Sequence, residues 1–260
     1  MDLGIKGKRA LVLSSSRGLG RGIAESLARE GADVLLTARS EDRLKSAADA
    51  INARGGGRAS HLAADLKDTG SLVEKAKAAL GGPIDILIAN TGGPPAATAL
   101  GADPAVYATQ FELMVMPVIR LASAILPDMK GAGFGRIVIV ASSGVVQPIP
   151  NLVVSNTLRS SLVGWAKTLS AEVAKDGITV NVILPGRIET DRTAELDAAN
   201  ASKQGKSVDD IAATARAAIP VGRYGRVEEF ADTACFLASE RASYITGSLV
   251  RVDGGAIRSV

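Results

Sequence analysis

The stretch LSSSRGLGRGIAESLA, residues 13–28, has the composition of a phosphate-binding turn. Gly18 and Gly20 follow a short apolar run and precede an amphipathic pattern, which predicts a glycine-rich turn between a strand and a helix. Such a turn lets backbone N–H groups and the N-terminal end of the helix face the pyrophosphate of a dinucleotide. The hydroxyl of Ser14 is a further group that can bond a phosphate.

Two arginines bear on the choice between NAD and NADP. An acidic side chain at the end of the second strand would bond the adenine ribose 2′-hydroxyl and repel a 2′-phosphate. The chain has Ala38 there, followed by Arg39, and Arg17 lies in the glycine-rich turn. A guanidinium suits a phosphate through its planar fork of donors. A single arginine would be explained as a solvated surface residue, but the pair without an acid favours NADP(H).

The elements that position these residues are seven short β-branched segments separated by longer helical patterns. Several segments are apolar throughout, which is typical of strands buried on both faces of a parallel sheet. Alternation of strand and helix predicts an α/β fold with a doubly wound, mostly parallel, Rossmann-like sheet. The predicted strands are RALVLS, ADVLLTA, RASHLAA, IDILIAN, GRIVIVAS, ITVNVIL and GSLVRVDGG.

The sequence predicts a single dinucleotide-binding domain over residues 1–260, because no repeat and no low-complexity linker divides the chain. The irregular segment is 187–225, which is polar and rich in alanine and follows the sixth strand. Its position over the ligand crevice predicts a substrate lid, with a solvated surface excursion as the alternative. Arg187, Arg192 and Arg223 of this segment are either solvated or attract an anionic substrate.

Composition argues against several other classes of protein. The net charge is +3, and no basic run is interleaved with aromatic residues, so no nucleic-acid partner is expected. With one cysteine, Cys235, and one histidine, His61, neither a disulfide nor a transition-metal cluster is expected. The N-terminus lacks a signal-peptide pattern, and no uninterrupted apolar run approaches the ~20 residues of a membrane span. These features predict a cytoplasmic protein with no membrane partner.

The order and spacing of several motifs resemble the short-chain dehydrogenase/reductase family, nearest to the 3-oxoacyl-(acyl-carrier-protein) reductase type, over essentially the full chain. Gly18 and Gly20 match the last two glycines of the family's turn, while Leu13 and Ser14 replace its opening Thr-Gly. The other matching positions are Asp65-Leu66, Asn90-Thr91-Gly92, Pro185-Gly186, Thr190 and the segment 227–255.

The resemblance implies a cofactor site and an assembly. A homotetramer is implied, in which the long helix carrying Arg159 and the last strand each meet a symmetry mate. The residues expected to bind the cofactor are Ser14, Ser16, Arg17, Gly18, Leu19, Arg39, Asp65, Leu66, Asn90, Gly92, Arg159, Pro185, Gly186, Ile188 and Thr190.

The resemblance also implies a catalytic set, from which this chain departs. The family uses a tyrosine as proton donor, a lysine four residues later, a serine that orients the carbonyl and an asparagine that holds a water. An ungapped register places Ser155 for the tyrosine, Arg159 for the lysine and Met114 for the asparagine. Ser142 matches the serine, thirteen residues before Ser155. No Tyr-x-x-x-Lys occurs elsewhere in the chain.

Two interpretations of these departures remain open. In the first, the chain is an NADP(H)-dependent oxidoreductase that interconverts a carbonyl and an alcohol on a small molecule, with Ser142, Ser155 and Arg159 as its catalytic residues. Its proton then comes from water, the substrate or a lid residue such as Glu189 or Asp191. In the second, it is a catalytically impaired NADP(H)-binding regulatory or assembly protein. The nucleotide-binding motifs are mostly retained, which favours the enzyme. A third and less favoured interpretation is an enzyme whose reaction involves no net redox change.

Overall fold

The structure is a computed structural model that describes residues 1–259. A single seven-stranded sheet has the order β3-β2-β1-β4-β5-β6-β7, and every neighbouring pair is parallel. The predicted doubly wound, Rossmann-like α/β fold is therefore confirmed. The strands are β1 (Arg9–Leu13), β2 (Asp33–Ala38), β3 (Ala59–Ala63), β4 (Ile86–Asn90), β5 (Gly135–Val140), β6 (Ile178–Pro185) and β7 (Leu249–Val252).

Helices cover both faces of the sheet. Their bounds are α1 (Gly18–Arg29), α2 (Glu41–Arg54), α3 (Leu72–Leu80), α4 (Pro104–Met114), α5 (Met116–Ala132), α6 (Val153–Val173), α7 (Asp191–Gln204), α8 (Val208–Ala217) and α9 (Val227–Leu237). Helices α3 to α6 contribute to the core on one face, and α1, α2 and α9 contribute to the core on the other. Helices α7 and α8 lie in the segment that the sequence predicts as a lid.

The alternation of side chains along β1 divides the core into two layers. Leu11 and Leu13 belong to the layer of α3 to α6, whereas Ala10 and Val12 belong to the layer of α1, α2 and α9. Successive side chains of a strand point to opposite faces, so a strand that is apolar throughout feeds both layers at once. This explains why uninterrupted apolar segments, rather than alternating ones, form the central strands.

The strand order reverses between β1 and β4. From β1 the chain crosses to β2 and β3 on one side, and from β4 it crosses to β5, β6 and β7 on the other. Connections that leave in opposite directions open a crevice at the carboxyl ends of the two central strands, where α/β sheets bind ligands. The segments that follow β1, β4, β5 and β6 are therefore the walls of the candidate site.

One stretch of the described chain, Pro104–Ala132, is long and apolar enough to cross a membrane, with a mean hydropathy of 1.4. It forms the two helices α4 and α5, and α5 packs Val118, Leu121 and Ile125 into the core against the sheet. Core helices of water-soluble proteins share this composition, so the stretch is weak evidence for a membrane span.

Candidate active site

A cleft of about 860 Å³ lies at the carboxyl ends of β1, β4, β5 and β6, beneath α7 and α8. It brings together most of the site residues predicted from the sequence: Ser14, Arg17, Gly18, Leu19, Asn90, Gly92, Ser142, Ser155, Arg159, Pro185, Gly186, Ile188 and Thr190. The remaining predicted residues, Ser16, Arg39, Asp65 and Leu66, lie outside the wall of this cleft. Arg39 directly follows β2, and Asp65 and Leu66 follow β3, toward the β3 edge of the sheet.

The glycine-rich turn is held by close backbone contacts. Ser14 has a φ of 48°, in the left-handed region that glycine favours, and Gly18 has a φ of 57°. A Cβ on Gly20 would lie 2.5 Å from the carbonyl oxygen of Ser14, so no larger residue fits there without rearrangement. The side-chain amide of Asn90 donates to the same oxygen at 3.3 Å, which joins the turn to the end of β4.

The turn fits a pyrophosphate. Helix α1 begins at Gly18, and no side chain caps its first N–H groups. Those donors remain available to an anion, and the helix dipole favours negative charge at this end. Ser14 thus adopts a left-handed backbone conformation that glycine would favour.

Ser15 is a structural residue that the sequence reasoning missed. It is fully buried, its hydroxyl donates to the carbonyl of Val12 at 2.8 Å, and it accepts the N–H of Thr37 at 2.9 Å. These bonds extend the pairing of β1 and β2 past the end of β1. The run of three serines does not indicate which of them is buried, so the sequence carried no signal for this role.

Arg17 and Arg39 have different surroundings. Arg17 donates to a carboxylate oxygen of Asp191 at 2.8 Å, and its other terminal nitrogen lies 3.8 Å from Glu195. Both acids belong to α7, so Arg17 ties the glycine-rich turn to the lid segment. Arg39 is exposed, and no ion pair to it occurs within residues 1–259. Arg39 is thus the more accessible of the two cations for a 2′-phosphate.

Arg159 is a buried cross-link between β4 and β5. Its Nη1 donates to the carbonyl of Val140 at 2.9 Å, and its Nη2 donates to Thr91 at 3.2 Å and Gly92 at 3.1 Å. Burial, with a further contribution from the charge of Arg192, lowers the pKa of the Arg159 guanidinium to about 10. The group is therefore still a cation at neutral pH, and it binds backbone oxygens at the point where the two strands end.

Ser142 and Ser155 line the cleft near Arg159. Ser142 lies two residues after the end of β5, and its hydroxyl accepts the N–H of Gly144 at 3.1 Å. Because that bond uses a lone pair, the O–H of Ser142 is left to donate into the cleft. Ser155 lies in the first turn of α6 and is buried. The side chain of Asn156 holds the intervening loop by donating to the carbonyl of Ile149 at 3.0 Å.

No tyrosine lines the cleft in the part of the chain that the structure describes. Tyr224 is buried and donates to Asp197 at 2.7 Å, and burial together with this bond raises the pKa of its phenol. Met114, at the position of the family's asparagine, is 2% exposed and belongs to the apolar core. The phenol and the amide that the family uses for proton transfer are thus replaced by the hydroxyl of Ser155, which is far less acidic than a phenol, and by the thioether of Met114, which has no proton to donate to a water.

The lid segment makes bonds within itself and to the wall of the cleft. Thr190 caps α7 by accepting the N–H of Thr193 at 3.3 Å. Arg192, in the first turn of α7, donates to the carbonyl of Pro94 at 3.3 Å. The N–H of Glu189 donates to Gly225 at 2.9 Å, which pairs the two ends of the segment. Together with the pair between Arg17 and Asp191, these bonds place α7 over the cleft.

Comparisons with known proteins agree with this architecture. Residues 13–256 match the family model described as enoyl-(acyl carrier protein) reductase. The chain is 37% identical over 255 residues to 3-oxoacyl-(acyl-carrier-protein) reductase FabG of Escherichia coli (strain K12), covering 97% of this chain and 98% of that protein. It is 31% identical to the uncharacterized oxidoreductase YvrD of Bacillus subtilis (strain 168), over the full length of both.

A solved structure is similar over its whole length. L-sorbose reductase from Gluconobacter frateurii, complexed with NADPH and L-sorbose, superposes with a TM-score of 0.93 at 35% identity, covering 100% of both chains. The similarity of the fold therefore extends through the cleft and the lid segment as well as the sheet.

Proposed function

Because this chain belongs to the short-chain dehydrogenase/reductase family, we propose that it is an NADP(H)-dependent oxidoreductase that interconverts a carbonyl and an alcohol on a small molecule. The observation that carries the proposal is the presence of two features in one cleft. An uncapped, glycine-rich turn suited to a pyrophosphate lies across from Ser142, whose O–H is left to donate. Relatives that share this fold act on carbonyl or alcohol substrates, according to their names.

The cofactor supplies the hydride when it is bound, and the residues of the chain hold it in place. The turn from Ser14 to Gly20 binds the pyrophosphate through backbone N–H groups. Asp65 and Leu66, after β3, contact the adenine end. The residues proposed for the nicotinamide end are Asn90, Gly92, Arg159, Pro185, Gly186, Ile188 and Thr190.

Preference for NADP(H) over NAD(H) is assigned to Arg39. Its guanidinium is exposed beyond β2, and the neighbouring Ala38 offers no carboxylate to repel a 2′-phosphate. Replacing Arg39 with alanine should weaken NADPH binding about tenfold or more and change NADH binding little, since a charge-assisted hydrogen bond contributes about 1.5–3 kcal/mol. Titration of each nucleotide by fluorescence checks this, and equal losses for the two would show that Arg39 does not contact the phosphate.

Proton transfer is proposed to use water in place of a tyrosine. Ser142 donates its O–H to the carbonyl oxygen and stabilises the negative charge that develops there. Ser155 is much smaller than a phenol and leaves room for a water beside that oxygen. Of the two lid acids considered from the sequence, Asp191 is paired with Arg17, and Glu189 does not line the cleft. Water from solvent is therefore the best-supported source of the proton.

The second candidate is an NADP(H)-binding protein without redox activity. It is favoured by the engagement of Arg159 with three backbone carbonyls, which gives this side chain a structural task independent of catalysis. Nucleotide absorbance during a screen of ketones and alcohols with NADP(H) separates the two candidates. Turnover supports the enzyme, and saturable binding of NADPH without turnover of any compound supports the regulatory or assembly protein.

A homotetramer is proposed for the assembled protein. Helices α4, α5 and α6 carry apolar side chains that pack against the core but are only half buried in a single chain, among them Phe111, Leu113, Ile119 and Trp165. At the edge of the sheet, Leu249 of β7 is 41% exposed. Light scattering at micromolar concentration tests this, and a monomeric mass would contradict it.

Several other features remain predictions. They are the single domain, the role of 187–225 as a lid, the cytoplasmic location and the absence of nucleic-acid and membrane partners.

A further inference from the structure

Two guanidinium groups flank one short segment of the cleft wall, Thr91–Pro94, which follows β4. Arg159 bonds the carbonyl oxygens at the start of the segment, at 3.2 and 3.1 Å, and Arg192 bonds the one at its end, at 3.3 Å. A Cβ built on Gly93, between them, would lie 3.6 Å from Nη2 of Arg192. Two positive charges from different elements, α6 and α7, are therefore held along four consecutive residues.

The charge of Arg159 lacks a counter-ion within residues 1–259. Its side chain is nine-tenths buried or more, and its hydrogen bonds go to backbone carbonyls, which offset only part of the cost of burying a cation. Arg192 is half exposed, and its nearest carboxylate is that of Glu195, at 3.5 Å. An anion bound between the two arginines would relieve the repulsion between them and neutralise a buried charge.

The phosphates of the cofactor do not account for this pair of arginines. The pyrophosphate site proposed above is the turn before α1, where the donors are backbone N–H groups and Arg17 is already paired with Asp191. Arg159 instead bonds the carbonyl of Val140, two residues before Ser142. The charge of Arg159 is thus held two residues along the chain from the hydroxyl that is proposed to contact the reacting carbonyl.

We infer that the substrate carries an anionic group, a carboxylate or a phosphate, which binds between Arg159 and Arg192 while its carbonyl oxygen accepts from Ser142. This inference rests on the proposed function, because it names the substrate class of the same cleft. Guanidinium groups bind carboxylates and phosphates in a bidentate manner, which fixes orientation as well as affinity. Arg192 is then a specificity-determining residue, and because it belongs to α7 it contacts substrate only while the lid segment covers the cleft.

The experiment compares matched anionic and neutral ketones with the NADPH-loaded protein. The probes are 2-, 3- and 4-oxo acids, each beside its methyl ester, and dihydroxyacetone phosphate beside dihydroxyacetone. The variants are Arg192→Gln and, as a matched control, Lys203→Met. Lys203 is on the same helix and lines the same cleft, but it makes no contact with the segment Thr91–Pro94. The oxo acids and the phosphorylated ketone distinguish the two kinds of anion.

The expected result is a kcat/KM that is about tenfold to a hundredfold higher for the anionic member of at least one pair. Arg192→Gln should reduce this ratio about tenfold or more, and Lys203→Met should change it less than about threefold. Equal kcat/KM within every pair, or an unchanged ratio in Arg192→Gln, would overturn the inference. Raised ionic strength should lower the ratio as well, because the contact on the Arg192 side is solvent-accessible.

A second measurement tests the anion site even if the protein has no oxidoreductase activity. If no ketone is turned over, the proposed oxidoreductase activity fails, and calorimetric titration of the same anionic compounds into the protein, with and without NADPH, decides the anion site. Saturable binding that weakens about tenfold in Arg192→Gln but not in Lys203→Met supports the site. Absence of binding by every anionic compound overturns it.

Discussion

The two ends of the cleft differ in the groups that form them, which are backbone groups at one end and side chains at the other. At the end next to β1, the site consists of backbone: a turn whose path depends on the close approach of Gly20 to Ser14 and on the first N–H groups of α1. At the end next to β5, the site consists of side chains, and three of the four positions that the family uses carry other residues. Ser142 alone keeps both its type and its place.

The difference teaches that a backbone site tolerates substitution in a way that a side-chain site does not. Ser14 stands where the family's turn has a glycine and adopts a φ of 48°, so it accepts the left-handed conformation that glycine favours. Arg159 replaces a lysine, and its larger head binds three backbone oxygens. At the first end the replacement preserves the geometry, whereas at the second it changes what the side chain does.

The largest expected effect is at the side-chain end. Replacing Ser142 with alanine removes the proposed donor to the carbonyl oxygen, and kcat should fall about a hundredfold or more, as for the loss of one oxyanion donor. The affinity for NADPH should stay the same, because the turn is untouched. Steady-state kinetics and nucleotide titration measure the two quantities, and Ser160→Ala, an exposed serine on α6, is the control. Unchanged kcat in Ser142→Ala would favour the second candidate function, an NADP(H)-binding regulatory or assembly protein, over the oxidoreductase.

A smaller effect is expected on stability when Arg159 becomes methionine. Three carbonyl oxygens at the ends of β4 and β5 lose their donor, while the cost of burying the charge disappears. Since an unsatisfied buried group costs about 1–3 kcal/mol, the net free energy of unfolding should fall by about 2 kcal/mol. Urea denaturation measures it, with Arg54→Met as the control, because the exposed pair of Arg54 and Glu25 contributes at most about 1 kcal/mol. A loss no larger than that of the control would contradict the structural role of Arg159.

The smallest effect is expected at the backbone end. Ser14→Gly relieves the strain of a left-handed serine, about 1–2 kcal/mol, but adds chain entropy to the unfolded state, about 0.5–1 kcal/mol. The free energy of unfolding should therefore rise by about 1 kcal/mol or less, and the Kd for NADPH should change less than about threefold. Thermal unfolding and nucleotide titration check this prediction. A tenfold weaker Kd would show that the Ser14 hydroxyl, rather than the backbone, binds the phosphate.

The sequence was sufficient to predict the strands and the parallel, doubly wound sheet. Short segments that are apolar throughout and alternate with helical patterns are typical of strands buried on both faces of such a sheet. The resemblance of its motifs to the short-chain dehydrogenase/reductase family also implied most of the residues that the crevice brings together, which follow β1, β4, β5 and β6 at the reversal of strand order. The sequence did not predict the acceptors of Arg159, the pairing of Arg17 with Asp191, or the buried position of Ser15. Each of these depends on the direction of one side chain, which hydrophobic periodicity does not encode.

The contacts between α7 and the cleft wall have a consequence for the timing of the reaction. Arg17 and Asp191 are 54% and 66% exposed, and exposed pairs of this kind contribute at most about 1 kcal/mol. Lids held by contacts this weak commonly move in microseconds to milliseconds, and enzymes commonly turn over about 1–1,000 times per second. We therefore expect that the transfer of hydride, and not the opening of α7, limits the rate. Replacing the transferred hydrogen of NADPH with deuterium should then lower kcat by a full primary isotope effect.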